Sequence, residues 1–270
     1  MHTRPAQVRG RFYPGTPSEI ERQASACLGA TVEALPALGL VLPHAGWMYS
    51  GAIAGAAIAQ TQIPERVIVM CPNHTGRGAH GAVWSRGEWE CGVDRVAIDE
   101  ALADALLAHT NVVQPDDTAH FGEHAIEVLL PLLQARQPSL RVLPIVLGPM
   151  RLEQCAELGR ALASVISEAP GDQKPLLVAS TDMSHFLSAA QAQRADAPAL
   201  DAVLHLDPRA LYQRVVERDI SMCGFLPTCA TLFAVRELGA TRAELVKYGH
   251  SGLVTGDHSR VVAYASFRLW

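Results

Sequence analysis

The chain contains 270 residues, which is enough for one large domain or two small ones. Hydrophobic residues make up 49% of the sequence and charged residues 18%, so the chain can fill a sizeable core and is neither a disordered nor a fibrous protein. The formal net charge of −5 arises from 22 basic and 27 acidic residues without any basic run, which argues against binding to nucleic-acid phosphates.

Short apolar runs alternate with helical stretches along the chain. Apolar runs without a two-residue alternation are typical of strands that are covered on both faces. We therefore predict an α/β fold, a three-layer sandwich with a mostly parallel or mixed central sheet and helices on both faces. In chain order the pattern predicts strand 37–42, helix 51–60, strand 66–71, antiparallel edge strands within 83–98, helix 122–136 with a bend at Pro131, strand 141–147, helix 152–166, strand 175–180, helices around 195–205, 208–218 and 223–238, and strands 244–248 and 260–267.

Four features predict a cytoplasmic protein with one domain. No apolar stretch reaches the ~20 residues that a membrane span requires, and residues 1–15 lack the apolar core of a signal peptide. The six cysteines include no C-x-x-C pair, which is typical of reduced thiols rather than of a disulfide scaffold. No repeat or long linker divides the sequence, so we predict a single domain over residues 1–270.

Histidine or aspartate follows four of the predicted strands. In an open α/β sheet, ligands collect outside the carboxyl ends of the strands, so we expect these side chains at one rim. A further histidine, His124, begins a predicted helix beside a glutamate. The residues at the strand ends are His44, His74, Asp182, His185 and His250.

This set of imidazoles predicts a metal site. Neutral imidazole is a frequent metal ligand near neutral pH. Two histidines with a carboxylate leave coordination positions open, the arrangement by which non-haem iron binds a substrate and dioxygen together. The alternative interpretation is that each histidine is an ordinary loop residue, and the spacing alone does not decide between the two. The remaining histidines considered, which we expect at the surface, are His2, His80, His109, His205 and His258.

Other catalytic motifs are weak or absent. Residues 249–253 begin like the nucleophile elbow of hydrolases but lack its final glycine. The sequence contains neither a G-x-G-x-x-G run nor a P-loop, so dinucleotide and nucleotide binding through those loops has no support. Cys223 stands at a predicted helix start, where its pKa would be lowered. We favour the alternative that Cys223 is a small buried packing residue.

A set of short motifs follows one order over nearly the whole chain. They are RFYP (11–14), PHAGWMYSG (43–51), PNHTG (72–76), EHAIEVLLPLLQ (123–134), STDMSHF (180–186), MCG (222–224) and VTGDHSRVVAYAS (254–266). Together they resemble the Memo family, whose bacterial and archaeal members are also called protein B of the AmmeMemoRadiSam system. The family is similar in fold to class III extradiol dioxygenases, in agreement with the predicted α/β sandwich.

The resemblance implies a metal-binding protein with redox activity. By their motifs, His44 and His74 correspond to the two metal-binding histidines of the family. His124, Asp182 and His185 are implied to line the pocket, and histidines at such places in the dioxygenases act as acid–base groups. We therefore expect a divalent metal, first Fe(II), with copper or zinc as alternatives.

The sequence departs from the family pattern where a third ligand is expected. The animal proteins carry a ligand cysteine in the last motif, and alignment on Tyr248 and YAS places that position at Val254. Many microbial members have an aspartate where this chain has Leu253, and an arginine where it has Phe225. The substitutes we expect are His185 as the third ligand, His250 as the alternative, and Asp257 after these two.

Three functions remain open at this stage. The first, which we favour, is a redox enzyme in which the metal binds a small-molecule substrate and dioxygen while His124 or His185 moves protons. The second is a non-catalytic accessory protein that binds a metal or small ligand beside radical SAM and AMMECR-type partner proteins. The third is zinc-dependent hydrolysis by an activated water. We expect neither nucleic acid nor a membrane as a partner.

Overall fold

A mixed β-sheet forms the centre of the molecule. The computed structural model describes residues 2–270, apart from the side chain of Asp172. The strands in this part of the chain are β1 Thr3–Arg4, β2 Gly39–Leu42, β3 Arg66–Pro72, β4 Gly81–Val83, β5 Glu88–Glu90, β6 Arg95–Ile98, β7 Gln114–Pro115, β8 Arg141–Leu147, β9 Leu176–Ser180, β10 His185–Leu187, β11 Ala243–His250 and β12 Val261–Leu269.

Helices follow most of the central strands and pack against the sheet. They are α1 Pro17–Leu28, α2 Trp47–Ala59, α3 Glu100–His109, α4 Leu130–Arg136, α5 Leu152–Glu168, α6 Ala189–Leu204, α7 Pro208–Glu217, α8 Phe225–Glu237 and α9 Gly252–Thr255. None of these helices is long and apolar enough to cross a lipid bilayer.

The strand order places parallel neighbours in the middle of the sheet. Strands β8, β3, β9 and β2 lie side by side and are parallel. Strand β12 runs antiparallel to β2, and β11 pairs antiparallel with β12. On the other side, β5 and β6 form the antiparallel pair that the sequence predicts near this edge, and the short strand β1 pairs with the outer side of β5. Because the carboxyl ends of parallel neighbours meet at one edge, the loops after β2, β3 and β9 lie together.

Alternate residues of the central strands face two separate hydrophobic cores. In β3, Val67 and Val69 belong to one core, whereas Ile68 and Met70 belong to the other. Helices α1, α2 and α4 cover the first core, and α3, α5 and α8 cover the second together with α6 and α7. The predicted α/β sandwich with helices on both faces is therefore confirmed.

The helix predicted over residues 122–136 was wrong in its first half. Helix α4 begins at Leu130, and turns precede it. Pro131 stands in the first turn of α4, where its missing amide costs no helical hydrogen bond, and it does not bend a longer helix. The side chain of Glu123 accepts hydrogen bonds from the amides of His124 and Ala125. These amides therefore have partners without forming a helix.

A buried ion pair fastens the amino-terminal strand to these turns. Arg4 and Glu127 are both fully buried, and Arg4 Nη1 lies 2.7 Å from Glu127 Oε2. Arg4 also donates to the backbone carbonyls of His120 and Glu123. Glu127 accepts further hydrogen bonds from the amides of Gln7 and Val8 and from the Tyr13 hydroxyl. Through these contacts the amino-terminal segment holds the turn that carries Glu123.

His120 is enclosed in the same region. Its ring is fully buried and lies edge-on to Trp84 and Trp89, with centroid distances of 5.9 and 5.6 Å. Burial lowers the pKa of His120 to about 3, and the positive charge of Arg4 acts in the same direction. Because this pKa lies below that of an unfolded histidine, the unfolded chain binds more protons, and stability must fall as the pH falls from 6.5 towards 3.

We expect His120→Phe to reduce this acid sensitivity. One such histidine accounts for a loss of about 2 kcal/mol in unfolding free energy between pH 7 and pH 5. Urea unfolding at the two pH values measures this difference. His205→Phe is the control, because the side chain of His205 is 72% exposed, and it should keep the pH dependence of the parent. An unchanged pH dependence in His120→Phe would contradict the assignment.

Candidate metal centre

Three segments that are distant in sequence meet at the carboxyl edge of the parallel strands. His44 follows β2, His74 follows β3, and Cys223 comes directly before Gly224, the N-cap of α8. The ring centroids of His44 and His74 are 5.2 Å apart, and Cys223 Sγ lies 3.5 Å from His44 Nε2. One ligand atom from each residue lies within 4.8 Å of the others. These residues, here called the His44–His74–Cys223 triad, could hold one metal ion.

Hydrogen bonds at Nδ1 of His44 leave the lone pair of its Nε2 directed at the Cys223 thiol. The Ser180 hydroxyl donates to the Ala125 carbonyl at 2.7 Å, so it accepts its other hydrogen bond, at 2.8 Å, from Nδ1–H of His44. The proton on Nδ1 leaves the lone pair on Nε2. Burial lowers the pKa of His44 to about 3, and the charges of His74 and His185 act in the same direction. The ring is therefore neutral at pH 7, as a ligand must be.

Glu123 orients His74 in a matching way. Its Oε1 accepts from Nδ1 of His74 at 2.9 Å, and its Oε2 accepts the backbone amide of the same residue at 2.7 Å. Burial would raise the pKa of Glu123, but the hydrogen bond and charge of His74 outweigh it and lower this pKa to about 2. Burial would lower the pKa of His74, but the hydrogen bond and charge of Glu123 raise it. Nε2 is the nitrogen of His74 that Glu123 does not engage, and an ion bound there would displace its proton. Carboxylates behind ligating histidines in metalloproteins have this geometry.

A second group of metal-binding atoms overlaps the triad but suits an ion less well. His74, Glu123 and His124 also have ligand atoms within 4.8 Å of one another. Glu123 Oε1 already accepts from His74 Nδ1 and from the amides of His124 and Ala125. The rings of His74 and His124 stack at 4.8 Å and 25°, so their in-plane lone pairs do not converge on one point. The triad is the better-formed group.

Cys223 is the ligand candidate that sequence reasoning missed. The amide of Asp182 donates to its Sγ at 3.2 Å. Burial raises the pKa of Cys223 to about 12, and the charge of Asp182 adds to this effect, so the lowering considered for a helix start, which we did not favour, does not occur. A bound cation would reverse this balance, because a coordinating thiol is deprotonated. The sequence feature that could have indicated this contact is the glycine that follows Cys223. A Cβ on Gly224 would lie 2.2 Å from the Ser180 carbonyl oxygen, so a larger residue would hold this segment away from β9.

Asp182 and His185 lie beside the triad without joining it. Asp182 is buried, and its Oδ1 accepts the amide of His44 at 2.8 Å. Burial raises the pKa of Asp182, although the amide of His44 and the charge of His185 oppose this shift. His185 donates from Nδ1 to the Ser221 carbonyl at 2.9 Å, which leaves its Nε2 free. Among the described residues, neither side chain belongs to a group of atoms that could hold an ion.

His124 lies next to the triad. Its ring centroid lies 5.4 Å from that of His44, and Phe12 packs on it at 4.8 Å. Burial lowers the pKa of His124 to about 4, and the charge of His44 acts in the same direction. The imidazole is therefore an uncharged base at pH 7.

His250 and Asp257, the alternatives to His185 as a third ligand, lie near the connection between β11 and β12. His250 ends β11, and its ring packs 5.2 Å from that of His258. Val254 is 49% exposed, and the Asp257 carboxylate accepts from the nearby Ser259. Within residues 2–270, none of these side chains belongs to a potential metal group. The structure instead brings a thiol from the start of α8 beside the two histidines.

We expect Glu123→Gln to weaken metal binding by about 10–100-fold, because the charge that holds His74 in place is lost while all three ligands remain. Competition with a chromophoric chelator measures the affinity for Co(II) or Zn(II). Glu153→Gln is the control, since Glu153 is exposed on α5 and should not affect binding. Equal affinities of Glu123→Gln and the parent would contradict the role of Glu123.

Comparisons with known proteins identify the family of this chain. The family model described as Memo-like protein matches residues 4–268. MEMO1 family proteins of Methanothermobacter thermautotrophicus and Methanosarcina mazei are 36% and 37% identical over 98% of this chain and 99% and 98% of their own lengths. The MEMO1 family protein of Aquifex aeolicus is 36% identical over 98% of both chains.

A solved structure supports the fold alone. An uncharacterized protein of Escherichia coli K12 aligns with a TM-score of 0.52 and 15% identity, over 84% of this chain and 98% of that chain. The family match, by contrast, extends over nearly all of the sequence and includes both histidines and the cysteine of the triad. The chain belongs to the Memo-like protein family.

Proposed function

We propose that this protein binds one transition-metal ion through Nε2 of His44, Nε2 of His74 and Sγ of Cys223, and uses it for redox chemistry on a small molecule. The observation that carries the proposal is the convergence of these three ligand atoms within 4.8 Å, with both Nδ1 protons held by other groups. Three protein ligands leave a coordination position open, as in catalytic metal sites.

The donor set changes the expected order of metals. The two-histidine, one-carboxylate arrangement that suits Fe(II) would need a free oxygen on Glu123, and that carboxylate is occupied by His74 and backbone amides. A thiolate with two imidazoles is softer and favours copper. We therefore place copper before iron for redox chemistry, and zinc would support hydrolysis instead.

The neighbouring side chains fit the handling of protons. A bound metal would supply electron transfer and an open position for a substrate. His124 is uncharged at pH 7 because burial lowers its pKa to about 4, so it can accept a proton from a substrate. His185, anchored through Nδ1 on Ser221, can exchange a proton through Nε2. Asp182 holds the backbone of His44 and so fixes the position of that ligand.

Metal analysis and oxygen uptake test the proposal together. Protein purified without an affinity tag is analysed for metals, and X-ray absorption at the edge of the bound metal reports its ligands. We expect one sulfur and two imidazole nitrogens. Metal-free protein is then reconstituted anaerobically with Cu(I), Fe(II) or Zn(II), and oxygen uptake is recorded with a panel of catechol-type compounds. We expect uptake with copper or iron and none with zinc.

Two results would overturn parts of the proposal. A metal bound through nitrogen and oxygen alone would contradict the assignment of Cys223. A correctly ligated metal without oxygen uptake in any reconstituted form would contradict the redox function. That second result would favour the accessory role beside radical SAM and AMMECR-type proteins.

A further inference from the structure

Phe186 has a backbone conformation that bulky residues rarely adopt. Its φ is 62°, in the left-handed region. It lies in a β-bulge between β10 and β12, where the register shifts between His185 and Leu187. The ring projects outward and is 64% exposed. Bulges and strained residues concentrate next to functional sites, where they aim a side chain.

Arg260 stands over this exposed ring. Its guanidinium carbon lies 4.8 Å from the ring centroid of Phe186. Arg260 is exposed, and among the described side chains its guanidinium takes part in no ion pair and no hydrogen bond. A guanidinium that lies over an aromatic ring keeps N–H groups free for a planar anion such as a carboxylate.

The Phe186–Arg260 pair is connected to the triad through His185. The rings of His185 and Phe186 are 5.8 Å apart. His185 also contacts the segment that leads to Cys223, because its amide donates to the Ser221 hydroxyl at 2.8 Å and its Nδ1 donates to the Ser221 carbonyl at 2.9 Å. A ligand that contacts the Phe186–Arg260 pair can therefore extend past His185 towards the metal ligands.

We propose that Phe186 and Arg260 select the substrate of the triad, and that this substrate is a planar carboxylate with an aromatic body. The inference rests on the proposed function. The guanidinium binds the carboxylate through paired hydrogen bonds, while the Phe186 ring supplies an apolar surface for the aromatic part. The strained bulge holds the two groups in place before the ligand arrives, which lowers the entropy lost on binding.

Benzoate and its neutral isostere benzamide are suitable probes, because they differ in charge but not in shape. Their affinities are measured by calorimetry and ligand-observed NMR for the metal-free and the zinc-loaded full-length protein. We expect benzoate to bind about tenfold more tightly than benzamide in both forms. In protein loaded with paramagnetic Co(II), we expect faster relaxation of the benzoate protons than in the zinc-loaded protein, because the ligand lies close to the metal.

Three variants distinguish the contributions of Arg260 and Phe186 to ligand binding from effects on folding. Arg260→Gln should remove the preference for benzoate over benzamide. Phe186→Gly should weaken the binding of both probes without lowering the melting temperature, because glycine adopts a positive φ without strain. Asp219→Gly is the control, since Asp219 is also exposed with a positive φ of 50° and should change neither affinity.

The outcomes keep this inference distinct from the proposed function. Equal affinities for benzoate and benzamide, or an unchanged preference in Arg260→Gln, would overturn the inference even if every variant binds metal normally. Benzoate relaxation that is the same with Co(II) and zinc would also overturn it. A parent protein that prefers benzoate but takes up no metal would support the carboxylate subsite and contradict the proposed metal function instead.

Discussion

Replacing His44 or His74 by alanine is expected to abolish metal binding while the protein remains folded. Each substitution removes one of three ligands, so the loss should exceed the roughly 100-fold that changes behind the ligands reach. The fold should persist because the two side chains lie in loops after β2 and β3, outside both hydrophobic cores. Chelator competition with Co(II) and Cu(I) measures the affinity, and thermal unfolding of the metal-free variants measures the stability.

Cys223→Ser extends this test to the thiol. Serine keeps the size of the side chain but lacks a soft donor atom, so the thiolate-to-metal absorption of the Co(II)-loaded protein should disappear. His205→Ala is the control for loss of an imidazole, because His205 is exposed at the end of α6. The ligand assignment fails for any residue whose substitution leaves the affinity equal to that of the parent.

Glu127→Ala is expected to have the largest effect on stability. It leaves the guanidinium of Arg4, which is fully buried, without its carboxylate, and removing one partner of a buried ion pair costs about 3–5 kcal/mol. The amides of Gln7 and Val8 and the Tyr13 hydroxyl, which donate hydrogen bonds to Glu127, also lose their partner. Urea unfolding of the metal-free protein at pH 7 measures the change in free energy.

A surface ion pair provides the matched comparison for this substitution. Arg86 and Asp104 are separated by 2.6 Å, but their side chains are 48% and 61% exposed. Water and salt screen such a pair, so Asp104→Ala should change stability little. If Glu127→Ala were no more destabilising than Asp104→Ala, the buried pair would not hold the amino-terminal strand as described.

Hydrophobic patterning predicted the layers of the fold but not every element. Strands β3 and β8 are continuous apolar runs because both of their faces are covered, so their sequences identify them directly. The sequence around Glu123 predicts a helix because apolar residues recur at helical spacing there, although the structure has turns. The hydrogen bonds of Glu123 and Glu127 to distant partners determine the local structure instead, and no local sequence pattern records such partners.

The residues of the candidate site that follow parallel strands could be predicted from the sequence, whereas the others could not. His44 and His74 follow parallel strands, so their shared edge could be inferred before any coordinates. Cys223 could not be placed in this way, because it precedes α8 and its approach to His44 depends on how that helix packs on the sheet. The same reasoning placed His250 at this rim, and β11 does run in the direction of β2, but β12 lies between these strands and the ring of His250 packs against His258.

The separation of the triad along the chain has a consequence for how the protein matures. His44 and Cys223 are 179 positions apart, so their contact forms only after most of the polypeptide has collapsed and the sheet has assembled. An ion held by all three residues would therefore stabilise the folded chain by mass action rather than nucleate its folding. A newly synthesised chain should reach its native topology before it acquires metal, which leaves delivery of the ion as a separate, later step.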